Sequence, residues 1–329
     1  MASYLDEIRL LQERWRIEDY FDIKTSGTTG VPKIIQHSKE AMRRSALKTI
    51  DRFDLRAGDK LLVCLPIKFV AGMMMVLRSE VLGGELVAIE PSTSPLSLLE
   101  QSIDFAALTP MQLNLALQNH PEKIDLVKTI ILGGAPISMN LAERIDHIDS
   151  NITKVYHTYG MTETITHVAV KALNGSYKSQ YYTALDGVRF TATVDERLII
   201  SADHISQESI ITNDVVELID DSHFKWRGRA DNVINSGGLK IFPLELEQLI
   251  RPYLKQQFFI SHTNDDILGQ KIVLVIKEDP NATIIPSDLL GRLKSKLPTN
   301  KSPKTVFVVK DFLWTSTGKI VKDLNKYNF

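Results

Sequence analysis

The run TSGTTGVPK, Thr25 to Lys33, gathers four hydroxyl side chains, two glycines and a lysine into nine positions. Such a segment buries little apolar surface, so it reads as an exposed loop. Gly27 and Gly30 let the backbone turn and come close to another molecule. Hydroxyls and backbone N–H groups can donate to anionic oxygens, and Lys33 adds a mobile positive charge. The chemistry on offer is the cradling of phosphate, although a plain polar turn has the same composition. The spacing is not that of a Walker A loop, because Ile34 follows Lys33 where Ser or Thr is required. Two further clusters could act on the same ligand. YGMTET contains Thr162 and Glu163, which alone read as a helix N-cap and a first-turn carboxylate. STGKI presents Lys319 directly after Gly318, although an isolated lysine is most often a solvated surface residue.

Positioning these residues requires a frame, and the hydrophobic pattern supplies one. YFDIK and KIIQHS flank the first loop as strand-like segments, so that loop is expected to join two strands. KLLVCLP, GELVAIE, DFAALTP and KTIILGG read as buried strands. AGMMMVLRSEVLGG, PLSLLEQS, MQLNLALQNHPE and SMNLAERIDHI, interspersed with them, have helical spacing. Strands alternating with helices imply a parallel sheet covered on both faces. From DGVRFTATVDERLIISADH to HFKWRGR the pattern changes to antiparallel strands with turns. After GRADNVINSGGLKIFPLELEQLIRPYL a small α+β pattern of helix, strand, strand, helix and strand follows. A boundary is expected near Asp231, without a long flexible linker.

Composition sets outer limits. With 329 residues, 43% hydrophobic and 24% charged, the chain has an ordinary globular profile and room for two domains. Its 39 basic and 40 acidic residues give a formal charge of −1, so nothing points to nucleic acid or a membrane surface. One cysteine, Cys64, precludes an internal disulfide framework and fits a reducing cytoplasm. The charged N-terminus MASYLDEIRLLQERWRIEDYFD reads as an amphipathic helix and not as a signal peptide. The apolar stretch FVAGMMMVL is too short to span a bilayer.

In combination the clusters resemble the adenylate-forming superfamily of acyl- and aryl-CoA ligases, adenylation domains and luciferases. TSGTTGVPK resembles its phosphate loop, YGMTET its second core motif and LGGAP (Leu132 to Pro136) an accompanying segment. TNDVVEL resembles the motif carrying a ribose-binding aspartate, with Asn213 where the family usually has glycine before the Asp. GRADNVINSGGLKIFPLELE resembles the hinge motif and TSTGKIVK the C-terminal lysine motif. The matches are in order from Thr25 to the last residues, and five ordered motifs are far more specific than one. The resemblance implies a large domain over 1–230, with parallel-rich sheets and a β-subdomain, and a small mobile α+β lid domain over 231–329.

It also implies roles. Thr25, Ser26, Gly27, Thr28, Thr29, Gly30 and Lys33 would hold the β- and γ-phosphates of ATP, Thr162 the α-phosphate and Glu163 a Mg²⁺ ion. Gly133, Gly134 and Ala135 would line the adenine pocket, Tyr159 would stack on the base, and Gly160 belongs to the same motif. Asp214 and Arg229 would meet the ribose. Lys319 would bridge the incoming carboxylate and the α-phosphate, neutralising charge and orienting attack. Asp231 would be the hinge about which the small domain turns, bringing up a face with Gly237, Gly238 and Lys240 for coenzyme A. The chain is shorter than most of the family on the N-terminal side, which suggests the compact o-succinylbenzoate–CoA ligases of menaquinone synthesis. Lys68 and Phe69 stand where many relatives have an aromatic–His pair, and Lys68, Phe69 and Arg78 would flank the acyl pocket. Two cations there suit an acid with a second carboxylate, although both also read as solvated charges. The expected partners are a small carboxylic acid, ATP and CoA, with no nucleic acid and no membrane span; the oligomeric state stays open, a homodimer included. Alternatives are another aryl- or acyl-CoA ligase, or an inactive acyl-nucleotide binding protein, against which Glu163 and Lys319 argue.

Overall fold

The computed structural model describes residues 3–24, 33–279, 286–314 and 320–327. Its chain divides into two compact units. The first comprises Met1–Ala192, Ile199–Thr212 and Leu218–Lys225; the second comprises Thr193–Leu198, Asn213–Glu217 and Trp226–Phe329.

Helix α1 (Tyr4–Ile17) opens on a capping box in which Ser3 and Asp6 exchange hydrogen bonds. It buries Ile8, Leu11 and Trp15, one helical stripe. Strands β1 (Tyr20–Lys24) and β2 (Ile34–Ser38) pair antiparallel, with Lys24 opposite Ile34. The TSGTTGVPK run is thus carried between two paired strands, as its flanks predict. Ser38 ends β2 and caps α2 (Lys39–Phe53) by accepting from the Ala41 N–H.

A βα succession follows: β3 (Lys60–Val63), α3 (Val70–Leu82), β4 (Glu85–Ala88), β5 (Ile103–Leu108), α4 (Pro110–Asn119), β6 (Val127–Leu132), α5 (Met139–Asp146) and β7 (Lys154–Gly160). β3 pairs parallel with β4 and β5, β5 with β6, and β6 with β7. Side chains alternate across the sheet. Leu61, Phe105 and Ile131 enter the core covered by α1, α2 and α3; Leu62, Ala106 and Ile130 enter the one covered by α4 and α5. PLSLLEQS departs from expectation: it forms only a 3₁₀ turn, Pro95–Leu98. Leu96 and Leu99, three apart and both buried, anchor it at the 3₁₀ repeat.

From β7 the sheet continues through β8 (His167–Ala172), β9 (Tyr182–Ala184), β10 (Val188–Ala192), β11 (Arg197–Ala202), β12 (Ser206–Leu218) and β13 (His223–Arg229), and the pairs β7–β8, β8–β9 and β9–β13 are antiparallel. The order across the sheet is β10-β11-β12-β13-β9-β8-β7-β6-β5-β3-β4.

In the second unit, β14 (Ile234–Ser236) and β15 (Leu239–Ile241) form a hairpin. Its turn residues Gly237 and Gly238 have φ of 58° and 79°, the sign a two-residue turn requires. There follow α6 (Pro243–Ile250), β16 (Phe258–Asp265), β17 (Gly269–Lys277), α7 (Pro286–Lys296) and β18 (Thr305–Val309). β16 lies antiparallel and β18 parallel to β17. Ile260, Leu274 and Ile276 pack with Leu246 and Leu293 of the two helices, while Phe259 and Val275 pack with Phe312 and Tyr327 on the other face. No helix is long and apolar enough to cross a membrane among the described residues.

Candidate active site

Where β7 ends, the chain makes a tight turn that carries Thr162 and Glu163. It is a 3₁₀ turn, Thr162–Thr164, instead of the start of a helix. Gly160 is required here: a Cβ would meet the Thr166 carbonyl oxygen at 2.4 Å, a distance real Cβ atoms do not show. Thr164 is fully buried, and its hydroxyl accepts from the Met161 N–H at 2.9 Å and donates to the Thr166 carbonyl at 2.7 Å. Ile165 then takes φ 64°, a conformation that costs a β-branched residue about 1–3 kcal/mol and persists only when surroundings enforce it. His37 of β2 is buried, and its Nε2 donates to the Thr162 carbonyl at 2.7 Å. This bond fastens the turn to the strand that follows the glycine-rich run. Burial pushes the His37 imidazole below its ordinary value, and the Thr162 carbonyl and the Glu163 charge oppose that. Glu163 is exposed. Its carboxylate makes no hydrogen bond or ion pair among the described residues, so an oxygen ligand stands ready for a hard cation. Magnesium is usually bound by one or two carboxylates plus substrate phosphates, and this donor set fits that pattern. Lys33 is exposed immediately before β2.

A second anchor holds the loop after β6. The Gly133 N–H donates to the Leu108 carbonyl at 3.2 Å, and Gly134 has φ 82°. The Thr158 hydroxyl donates to the Leu132 carbonyl at 2.8 Å, and His157 Nε2 donates to the Ala135 carbonyl at 3.1 Å. Tyr159 is buried, edge-on to Phe224 at 5.0 Å and to Tyr182 at 5.8 Å. Hence β7 contributes consecutive residues both to the loop and to the turn.

Helix α3 places Arg78 in the interior, with 1% of its surface exposed. One amine donates to Thr166 Oγ1 at 2.6 Å and the other lies 3.3 Å from Met75 Sδ, while Nε has no hydrogen-bond partner. No carboxylate pairs with this guanidinium among the described residues. Desolvation pushes it down to about 9, so it remains charged at neutral pH. Thr166 Oγ1 also lies 3.3 Å from His167 Nδ1, and His167 Nε2 is 3.4 Å from Thr49 Oγ1. This chain of polar contacts runs behind Arg78 through the core. Lys68, in contrast, is exposed, its ammonium 5.4 Å from the centre of the half-exposed Phe69 ring. Solvation therefore describes Lys68 and not Arg78.

In the second unit, Asp214 is buried and accepts from the Trp226 indole N–H at 3.0 Å. Arg229 is exposed and reaches Asp231 at 3.2 Å. Hydrogen bonds from Asn213, first, and from Arg229 hold the Asp231 carboxyl below its ordinary range. Asn213, the residue that departs from the family pattern, thus engages the expected hinge residue. Gly237 and Gly238 form the hairpin turn, with Lys240 exposed beside it. Thr25, Ser26, Gly27, Thr28, Thr29, Gly30 and Lys319 lie outside the described residues; the segment with Lys319 follows Trp314 and precedes Ile320, which bridge each other.

The family model for AMP-binding enzymes matches residues 21–190, from β1 into β10. The chain belongs to the AMP-binding enzyme family. A solved structure of an acyl-CoA synthetase (AMP-forming)/AMP-acid ligase II-like protein from Dyadobacter fermentans is 36% identical, with a TM-score of 0.68. The match covers 98% of this chain and 93% of that one. A long-chain-fatty-acid–CoA ligase of Mycobacterium tuberculosis is 25% identical over 93% of this chain, and a 2-succinylbenzoate–CoA ligase of Salmonella typhimurium is 28% identical over 77%. The aligned chain spans 66% of the first of these curated relatives and 57% of the second.

The fold of this AMP-binding enzyme brings Gly133, Gly134, Ala135, Tyr159, Gly160, Thr162 and Glu163 together at the ends of β6 and β7. Sequence reading missed His37, His157, Thr158 and Thr166, which hold that region from neighbouring strands and loops. A histidine inside a strand pattern carries no signal of its own; only the pairing of strands shows which carbonyl it faces.

Proposed function

We propose that this chain is an AMP-forming acid–CoA ligase whose acid carries a second anionic group, with o-succinylbenzoate the first candidate. The substrate carboxylate attacks the α-phosphorus of ATP and pyrophosphate leaves; the CoA thiol then attacks the acyl carbon of the adenylate and AMP leaves. The observation that carries the substrate reading is Arg78, a buried guanidinium with no acidic partner among the described residues and an unmet Nε. A buried cation of this kind is stabilised when an anion reaches it, and a fatty acid brings no second anion. The 2-succinylbenzoate ligase likeness supports the same reading.

In this scheme the glycine-rich loop and Lys33 hold the terminal phosphates, and Thr162, fixed by His37, meets the α-phosphate. Glu163 supplies the protein ligand for magnesium, which when bound offsets charge on the phosphate oxygens. The ribose hydroxyls go to Asp214 and Arg229, and Lys319 orients the attacking carboxylate. Residues 231–329 act as the lid, turning at Asp231 so that Gly237, Gly238 and Lys240 face the coenzyme. The run Met73, Met74 and Met75, buried on α3, favours a second reading, a larger apolar acyl acid.

A panel of carboxylic acids assayed for ATP–pyrophosphate exchange, then for thioester with CoA, tests the proposal. Exchange should be greatest with aromatic acids bearing a second carboxylate. Medium-chain fatty acids outperforming them would remove the substrate assignment and leave the ligase. Nucleotide binding without exchange for any acid would mark an inactive acyl-nucleotide binder.

A further inference from the structure

We propose that His157 is a positioning residue for the nucleotide: its Nε2–H holds the Ala135 carbonyl and thereby fixes the wall formed by Gly133, Gly134 and Ala135. The inference rests on reading that loop as the adenine pocket. The Ala135 carbonyl oxygen only accepts, so at 3.1 Å His157 Nε2 must carry the proton. Nδ1 is then bare and accepts from the Tyr182 hydroxyl at 2.6 Å. One tautomer satisfies both bonds: the Ala135 carbonyl fixes the proton on Nε2, and the Tyr182 hydroxyl supports that tautomer by donating to Nδ1. The Lys171 ammonium lies 4.9 Å from the centre of the Tyr182 ring, and burial followed by that positive charge keeps the imidazole neutral.

The loop needs outside support. Two glycines and an alanine have no side chain that could hold it, and Gly134 already stands at positive φ. Successive residues of a strand point to opposite faces. Thr158 takes the Leu132 carbonyl and His157 the Ala135 carbonyl, so neighbouring residues of β7 grip the two ends of the glycine pair. Gly133 adds a close fit, since a Cβ there would come within 3.0 Å of Thr158 Oγ1. Releasing the Ala135 end frees the segment that meets the base, while α3 makes no hydrogen bond to His157 among the described residues.

The test compares His157→Leu, His157→Gln and Tyr182→Phe by calorimetric titration with ATP–Mg²⁺ and with AMP, and by steady-state KM for ATP and for the acid. Loss of one net hydrogen bond should raise Kd and KM for ATP about tenfold in His157→Leu, with the KM for the acid within about twofold. Glutamine can donate to Ala135 and accept from Tyr182, so His157→Gln should recover most of the affinity. Tyr182→Phe, which removes the hydrogen bond to Nδ1 and leaves the bond to Ala135, should fall between. Unchanged nucleotide affinity in His157→Leu overturns the inference, as does an equal loss in Leu and Gln variants or an equal rise in both KM values. Wild-type protein that binds neither ATP nor AMP overturns the family-based reading of the loop, and this inference with it.

Discussion

Replacing Arg78 by methionine should move stability and activity in opposite directions. The guanidinium is 1% exposed and meets a threonine hydroxyl and a thioether, but no carboxylate among the described residues. Such a charge is held away from water with no anion beside it among the described residues, a cost of several kcal/mol that one hydroxyl offsets only in part. Methionine has similar length, no charge, and apolar neighbours in Met74 and Met75. Exchanging buried ionic groups for packed apolar ones is neutral or stabilising by about 1–4 kcal/mol. Urea unfolding of the ligand-free Arg78→Met protein should therefore show equal or higher stability. The reaction should suffer instead. A charge-assisted hydrogen bond to a second carboxylate contributes about 1.5–3 kcal/mol, so kcat/KM for o-succinylbenzoate should fall by roughly ten- to 150-fold. For benzoate, which lacks that group, the change should stay within about threefold. Lys68→Ala provides the contrast, because an exposed cation in water adds about 1 kcal/mol at most. A marked loss of stability in Arg78→Met with an equal fall for both acids would show that Arg78 only shapes the core, and the second-anion argument would fail.

Three more outcomes follow from the site. Lys319→Ala should abolish acyl-adenylate formation and largely spare thioester formation from supplied adenylate; equal loss in both half-reactions would assign Lys319 to both or to the fold. Asp231→Pro should spare adenylation and slow CoA transfer, since proline fixes a φ that a hinge must change; an unaltered overall rate would remove the hinge. His157 sits at about 4 against an ordinary 6.5, so the folded state takes up its proton later than the unfolded chain. Its contribution is fully present above pH 6.5 and is lost as pH falls toward 4. The stability difference between pH 7.5 and pH 5 should therefore shrink by about 1–2 kcal/mol in His157→Gln, read by urea unfolding. An unchanged difference would show that the histidine is not held neutral.

The chemistry-bearing loops were legible because their composition is unsuited to anything else. TSGTTGVPK cannot enter a core, and its strand-like flanks dictate a loop between strands; β1 and β2 provide that setting. The parallel strands were legible for the same local reason: continuous apolar runs bounded by Gly and Pro, two of them, KLLVCLP and DFAALTP, sending Leu61 and Phe105 to one face and Leu62 and Ala106 to the other. The β14–β15 hairpin escaped notice, since strands of three residues leave no periodicity to read. Thr162 and Glu163 read locally as a helix start, but Gly160, Thr164 and Ile165 hold a 3₁₀ turn through contacts with the β8 side of the bend.

Sequence by itself determined which residue types are present for phosphate, carboxylate and base, the order in which the motifs occur and the alternation that builds a covered sheet. Tertiary structure alone decided the environment of each charged or polar group. Lys68 and Arg78 are equivalent cations in the sequence, ten residues apart. Folding leaves the first in water and buries the second against Thr166, which is 88 residues away. His37 and His157 carry no local sign of function, yet strand pairing brings one to the Thr162 carbonyl across 125 residues and the other to Ala135. Burial, tautomer and hydrogen-bond partner depend on contacts between distant segments. Local composition encodes the groups available, and only the folded chain sets the dielectric and the partners that give them their chemistry.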